Sequence, residues 1–180
     1  MRRRTITLPI PMQAERPLQQ SPAAGSRRRP SQGMLDTNIL ILRRLVNPDE
    51  LPDEMAISAV TLAELSAGPH QVRPDHEQTT YDEHAERARR LDALQRAEHE
   101  FDPIPFDSEA ARAYGQVIAA VIGAGRSPRR RTADLMIAST AIAAGLPLYT
   151  TDPDDFAGLD HLLAVVRVTC PRVHRERVRP

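Results

Sequence analysis

The chain has 180 residues, a length that suits one α/β domain with a tail and leaves little room for two domains. No apolar run approaches the roughly 20 residues that a membrane-spanning helix needs, and the single cysteine, Cys170, excludes an internal disulfide framework and a cysteine-based zinc cluster. The chain contains no lysine, which excludes Schiff-base chemistry and a phosphate-binding-loop lysine.

The net charge of zero conceals three segments of different sign. Residues 1–33 carry seven Arg and one Glu, residues 34–168 carry 13 Arg against 22 acids, and residues 169–180 carry four Arg and one Glu. A body with a net charge of −9 and basic ends does not have the charge pattern of a simple cationic nucleic-acid-binding protein. If this body handles nucleic acid, something must neutralise its carboxylates.

Both ends of the chain are predicted to be tails. Residues 1–32 are rich in Arg and Pro and show no sustained hydrophobic period, so we expect them to be disordered. They lack the apolar stretch of a secretory signal, and we expect a cytoplasmic protein. The ordered pattern opens abruptly at Met34, which suggests a biological start near that residue. Residues 169–180 form a basic C-terminal tail.

Residues 33–168 alternate short apolar strands with helical stretches. In chain order, strands are predicted at residues 34–35, 55–58, 147–150 and 163–168, and residues 101–106 are predicted to contain a strand interrupted by prolines. Helices are predicted at residues 37–45, 59–67, 81–100, 108–122 and 132–144, with a turn and a short helix at residues 152–159. The helix at 81–100 carries a thin apolar stripe of Ala85, Ala88, Leu91 and Leu94. This alternation predicts an α/β/α domain with a mainly parallel sheet, whose functional side chains lie at the carboxyl ends of the strands.

Four acids stand where such a sheet would gather side chains. Asp36 follows the first strand, Asp152 follows the strand at 147–150, Asp134 lies in the first turn of the most apolar helix, and Glu64 lies beside apolar residues in the second helix. Converging carboxylates repel one another unless they keep protons or bind a cation. Hard oxygen ligands without His or Cys favour Mg²⁺ or Mn²⁺, which can activate water and clamp phosphoryl oxygens.

Each of these acids, taken alone, also has a structural explanation. Asp36 can cap the helix that follows it, Asp134 can interact with a helix dipole, Asp152 can belong to a turn, and Glu64 can pair with an arginine. The joint pattern favours a metal site.

Four motifs carry a family resemblance. They are MLDTNILI at residues 34–41, ISAVTLAEL at 57–65, ADLMIA at 133–138, and LYTTD at 148–152 followed by DDF at 154–156. In this order and spacing they resemble the motifs of PIN-domain nucleases, above all those of the VapC-like toxins of bacterial type II toxin–antitoxin pairs. The resemblance covers about residues 33–168.

The resemblance implies an endoribonuclease that depends on Mg²⁺ or Mn²⁺ and leaves 5′-phosphate and 3′-hydroxyl products. It implies that Asp36, Glu64, Asp134 and Asp152 form the catalytic and metal-binding cluster, with Thr150 as an accessory residue. The additional acid Asp155 could share or replace part of the role of Asp152. The resemblance also implies a homodimer and a cognate VapB-like antitoxin, and the net charge of the body independently fits a basic partner.

The remaining candidates flank this cluster. Thr37 and Asn38 are predicted to orient Asp36 or a metal-bound water, or else are ordinary first-turn residues. The loops at 69–80 and 123–131 are candidates for selecting the RNA. The second loop contains four arginines predicted to contact RNA phosphates, or alternatively to pair with acids of residues 82–100. These arginines are Arg126, Arg129, Arg130 and Arg131.

Two other functions share features with this pattern. A phosphatase of the haloacid-dehalogenase type needs a second Asp two residues after the first and a downstream Lys, whereas position 38 is Asn and Lys is absent. A catalytically degenerate PIN fold that binds RNA or protein is the other alternative, and the presence of all four acids argues against it.

Overall fold

The computed structural model describes residues 4–5, 30–72 and 82–170. Within these residues the strands are β1 (Arg4–Thr5), β2 (Gln32–Leu35), β3 (Glu54–Ala56), β4 (Leu148–Thr150) and β5 (Val165–Arg167). The α-helices are α1 (Thr37–Ile41), α2 (Ala59–Ala67), α3 (Glu83–Glu100), α4 (Ser108–Gly123) and α5 (Thr132–Ala144). Short 3₁₀ helices occupy Pro48–Glu50, Gly68–Gln71, Pro128–Arg130 and Pro153–Phe156.

The strands form one parallel sheet in the order β1-β3-β2-β4-β5. The predicted parallel α/β architecture is therefore confirmed. After β2 the chain forms β3 on one side, and it later returns to place β4 on the other side. The carboxyl ends of β2 and β4 consequently flank a topological switch point, the place where open α/β sheets form their binding crevices.

Alternating side chains divide the core between the two faces of the sheet. Met34 and Leu148 pack with residues of α4 and α5, whereas their neighbours Leu35 and Tyr149 pack on the opposite face with residues of α1, α2 and α3. All four side chains are fully buried. Successive residues of a strand point to opposite faces, so strands covered on both sides are apolar throughout. The result is the predicted three-layer α/β/α arrangement.

Local signals in the sequence set several helix ends. Asp107 accepts hydrogen bonds from the backbone N–H groups of Glu109 and Ala110, and so caps α4 as predicted. Ser58 caps α2 by accepting from the N–H of Thr61 at 2.9 Å. Gly145 ends α5 in the left-handed conformation with φ = 65°.

Two predicted elements are wrong in extent or type. The helix predicted at 37–45 ends at Ile41, and the chain continues in turns. Leu42 and Val46 are nevertheless buried. The spacing of these apolar residues therefore indicated burial correctly but did not indicate a continuous helix. The strand predicted at 101–106 is reduced to one bridge between Ile104 and Ser58, because the flanking prolines at 103 and 105 cannot donate backbone hydrogen bonds.

The apolar stripe predicted for α3 is correct only in part, since Leu94 packs against the core. Leu91 is 41% exposed and Ala88 is exposed, whereas the buried residues of the helix are Ala93 and Ala97. The small alanines lie against the sheet-side cluster that includes Phe101. Residue size alone therefore did not identify the buried face, because Leu91 is exposed whereas Leu94, of the same size, packs against the core.

A close contact explains the glycine in β2. A Cβ atom at Gly33 would lie 2.3 Å from Cε2 of Tyr149, on the neighbouring strand. The Tyr149 side chain is fully buried, and its hydroxyl donates a hydrogen bond to the carbonyl oxygen of Pro30 at 3.4 Å. Gly33 thus leaves the space that the tyrosine ring fills.

Parts of the predicted tails and of one loop lie outside the described residues. The residues outside the described ranges are 1–3, 6–29, 73–81 and 171–180. Within the predicted N-terminal tail, β1 pairs with β3 at the edge of the sheet. In the described ranges, no helix has the length and apolar character that crossing a membrane would require.

Candidate functional site

Asp36 occupies the switch point between β2 and β4. It is the first residue after β2 and is 3% exposed. Its Oδ1 accepts from the N–H of Thr37 and its Oδ2 accepts from the hydroxyl of Thr150, both at 2.8 Å. Its own N–H donates to the carbonyl oxygen of Tyr149 at 2.9 Å. Asp36 does cap α1, but its burial and its bond to Thr150 exceed what a helix cap requires.

Glu64 is joined to the same place through Thr37. The hydroxyl of Thr37 donates to Oε2 of Glu64 at 2.5 Å, which connects the start of α1 to the middle of α2. Thr37 is buried and Glu64 is half-buried. Across the described ranges Glu64 forms no ion pair. The alternative in which Glu64 pairs with an arginine is therefore wrong for these residues.

Burial and, to a smaller extent, neighbouring charges raise the pKa values of two carboxyl groups in the cluster. Burial raises the pKa of Asp36 to about 7, opposed by the hydrogen bond from Thr150 and increased further by the charges of Asp134 and Glu64. Burial also raises the pKa of Asp134 to about 6, with contributions from Glu64 and Asp155 that Arg131 opposes. The three acids predicted from separate parts of the chain therefore interact electrostatically.

The segment after β4 contributes two acids in different ways. The N–H of Asp152 donates to the Thr150 hydroxyl at 3.0 Å, so the backbone of Asp152 is tied to the site. Asp155 lies further along the same turn, and its charge acts on Asp134. A role for the Asp152 side chain stays a prediction, and Asp155 has an electrostatic connection to the cluster.

The arginine loop makes contacts that the sequence did not predict. Arg126 and Arg131 donate to backbone carbonyl oxygens in residues 154–157, and Arg131 also pairs with the Asp155 carboxylate at 3.1 Å. Their partners are therefore not the acids of residues 82–100. Arg129 is exposed, and the side chain of Arg130 lies outside the described part of the structure.

The predicted accessory residues Thr150, Thr37 and Asn38 differ in their contacts with the cluster. Thr150 lies beside Asp36 as predicted. Thr37 orients Glu64 through its hydroxyl and contacts Asp36 only through its backbone, a role that the sequence analysis missed. The sequence signal for this role was the position of Thr37, a hydroxyl residue directly after Asp36 at the end of a strand. Asn38 is half-buried, and its side chain makes no hydrogen bond among the residues that the structure describes.

The residues present fit a divalent cation by chemistry and charge. Carboxylate oxygens are the ligands that Mg²⁺ and Mn²⁺ prefer, and the mutual repulsion of Asp36, Glu64 and Asp134 is relieved when a cation lies between them. Within residues 30–72 and 82–170, however, no three His, Cys, Asp or Glu side chains are already arranged to hold a metal ion. The four-carboxylate metal site stays a prediction.

Comparison with known families decides the classification of the chain. A model described as the PIN domain matches residues 33–162. The chain belongs to the PIN-domain family. The match begins in β2 and spans Asp36, Glu64, Asp134 and Asp152, so it covers the whole candidate cluster.

Individual relatives agree with this classification. The PIN domain is 34% identical over 139 residues to Ribonuclease VapC5 of Mycobacterium tuberculosis, covering 76% of this chain and 93% of that protein. The crystal structure of VapBC-5, a toxin–antitoxin system of the same organism, matches with a TM-score of 0.62 at 34% identity, covering 77% of this chain and 99% of that one. VapBC2 from Rickettsia felis, at 21% identity and a TM-score of 0.54, shares the fold over 77% of this chain and 99% of its own.

Proposed function

We propose that this PIN domain is a metal-dependent endoribonuclease that hydrolyses RNA phosphodiester bonds as the toxin of a type II toxin–antitoxin pair. The observation that carries the proposal is the buried carboxyl of Asp36 at the switch point, within electrostatic reach of Glu64 and Asp134. The 34% identity to a VapC ribonuclease over nearly its whole length supports the choice of RNA as the substrate.

The residues of the cluster have distinct parts in this proposal. Asp36, Glu64 and Asp134 would hold Mg²⁺ or Mn²⁺, with Asp152 and Asp155 as further acids from the segment after β4. A bound divalent ion would supply a Lewis acid that activates water and offsets phosphate charge. Thr150 keeps the Asp36 carboxylate in place, and Thr37 does the same for Glu64. The acids alone would repel an RNA backbone, so charge compensation is a condition for binding substrate.

The same proposal includes partners and location. The relative from Mycobacterium tuberculosis is part of a toxin–antitoxin system, and we infer a VapB-like antitoxin for this chain. The net charge of −9 on residues 34–168 complements a basic antitoxin segment. We further propose a homodimer that acts in the cytoplasm. Light scattering of the purified protein would then give twice the chain mass of 20.0 kDa.

Cleavage of RNA by purified protein tests the activity. The wild type should cleave RNA in Mg²⁺ or Mn²⁺ and stop when EDTA is added. Asp36→Asn and Asp134→Asn should each lower the rate at least about 100-fold, or about 2.7 kcal/mol of transition-state stabilisation. Asp160→Asn is the matched control, because Asp160 is exposed and lies outside the cluster.

Two results would contradict the proposal. One is no cleavage by antitoxin-free wild type in either metal, which would favour a degenerate PIN fold that binds RNA. The other is equal cleavage by the wild type and by the Asp36 and Asp134 variants, which would show that the acidic cluster does not perform the reaction.

A further inference from the structure

The side chain of Arg131 ties the segment after β4 to the start of α5. Its Nη1 donates to the carbonyl oxygens of Asp155 at 2.8 Å and Asp154 at 3.3 Å, and its Nη2 lies 3.1 Å from Oδ1 of Asp155. Arg131 directly precedes α5, whose first turn contains Asp134. One guanidinium therefore connects the two chain segments that bring Asp134 and Asp155 to the site.

A second arginine strengthens this connection. Nη1 of Arg126 donates to the carbonyl oxygen of Ala157 at 2.9 Å. Carbonyl groups at the end of a short helix lack partners within the helix, and the two guanidinium groups donate to those of Asp155 and Ala157. The carbonyl of Asp154, which also accepts the N–H of Ala157, receives a further bond from Arg131. The 3₁₀ helix Pro153–Phe156 is thus fixed to the connection between α4 and α5.

These contacts distinguish Arg131 from Arg129 of the same loop. The donors of Arg131 already serve two carbonyls and a carboxylate, and its side chain is only 31% exposed. Arg129, two residues earlier, is exposed and makes no hydrogen bond or ion pair within the described ranges. Arg131 and Arg129 carry the same charge in the same loop, but only Arg131 of the two bonds to residues 154 and 155.

We propose that Arg131 is a positioning residue of the nuclease site, which fixes Asp155 beside Asp134 and does not serve as an RNA-phosphate ligand. The inference rests on the proposed ribonuclease function and deepens it. A guanidinium can bind carboxylate and carbonyl oxygens in one rigid plane, whereas a lysine ammonium supplies only a point charge. The role therefore requires arginine and not merely a positive charge.

Kinetics of Arg131→Ala and Arg129→Ala separate positioning from phosphate binding, because each variant removes one positive charge from this loop. We expect Arg131→Ala to lower the single-turnover cleavage rate about 10-fold or more, since small displacements of catalytic groups are costly. It should leave the salt dependence of RNA affinity unchanged. A lost phosphate contact would instead weaken RNA binding and reduce the salt slope by about one. That second pattern in Arg131→Ala would overturn the inference.

Two further variants test the named contact. Asp155→Asn should lower the rate as well, and the double variant with Arg131→Ala should be no slower than the worse single variant, because both changes break one interaction. Arg131→Lys should keep most of the defect while retaining the charge. Strictly multiplicative rate losses in the double variant, or full recovery with lysine, would contradict the proposed role.

A readout without RNA distinguishes this inference from the proposed function. Amide hydrogen exchange in residues 155–159 should accelerate in Arg131→Ala and stay at the wild-type rate in Arg129→Ala. If the wild type cleaves no RNA, the ribonuclease proposal fails while the exchange experiment still tests the tether. If the wild type cleaves RNA and Arg131→Ala matches it in both rate and exchange, the positioning role alone is wrong.

Discussion

The hydroxyl of Thr150 donates a 2.8 Å hydrogen bond to Oδ2 of Asp36, across the switch point from β4 to β2. Oγ1 of Thr150 also accepts the N–H of Asp152 at 3.0 Å. Since a hydroxyl has one proton and the backbone N–H takes an acceptor position, the proton is directed toward the carboxylate. This pair of bonds orients Asp36, favours its ionised form against the effect of burial, and fixes the start of the segment that carries Asp155.

Thr150→Val should impair the site without removing any carboxylate. The valine leaves the Asp152 N–H without its partner and removes the bond that lowers the Asp36 pKa, so that pKa should rise above about 7. The acidic limb of the pH–rate profile for RNA cleavage should move to higher pH. The free energy of unfolding should fall by about 1–3 kcal/mol. Thr150→Ser keeps the hydroxyl and is the control. A valine variant with the wild-type profile would show that this bond does not act on Asp36.

Asp36 should make the metal-free protein less stable as the pH rises. Its pKa is about 7 when folded against an ordinary value of 3.8, so between those values the folded state holds a proton that the unfolded chain has released. Unfolding then releases a proton, and stability falls from pH 4 to pH 7. Above pH 7 the penalty is complete and on the order of a few kcal/mol, because one pKa unit corresponds to about 1.4 kcal/mol.

Urea unfolding in EDTA measures this effect through Asp36→Asn. The stability of the variant relative to the wild type should increase by a few kcal/mol from pH 4 to pH 8, whatever constant offset the lost carboxylate produces. Asp160→Asn should show no such trend, because Asp160 is exposed. A relative stability of Asp36→Asn that is flat with pH would mean that Asp36 is ionised in the folded protein throughout this range.

Gly33→Ala should destabilise the fold. The new Cβ would lie 2.3 Å from the ring of Tyr149, which is fully buried. Overpacking of this kind costs about 1–3 kcal/mol. Gly115→Ala is the opposite control, because a Cβ there has open space within α4 and alanine favours a helix by about 1 kcal/mol over glycine. Thermal unfolding should place the two variants on opposite sides of the wild type.

The sequence predicted secondary structure best where the pattern of apolar residues and the residues at helix ends indicate the same element. The bounds of α2 and α5 were predicted to the residue, because each begins after a strand or polar loop and ends at a glycine. The positions of Asp36 and Asp134 follow from the parallel topology, since β2 ends and α5 begins at the same edge of the sheet.

Long-range contacts were the part that the sequence could not supply. The bond from Thr37 to Glu64 and the contacts of Arg131 with residues 154–155 join segments far apart in the chain. The loop with four arginines beside an acidic site suggested contact with RNA phosphates. Composition gives the charge of such a loop but does not show which arginines are already bonded to other parts of the protein. The inner face of α3 was predicted only at Leu94, since alanine at positions 93 and 97 gives a weak hydrophobic signal.

Binding of Mn²⁺ to the purified protein, followed by the loss of the free-ion electron paramagnetic resonance signal at pH 7.5, tests the central claim most directly. The account predicts that the wild type and Asp160→Asn bind the ion equally. Asp36→Asn and Asp134→Asn should bind at least about 10-fold more weakly, a loss of about 1.4 kcal/mol or more. Unchanged Mn²⁺ binding in both cluster variants, or no binding by the wild type, would contradict the claim that these carboxylates form a divalent-metal site.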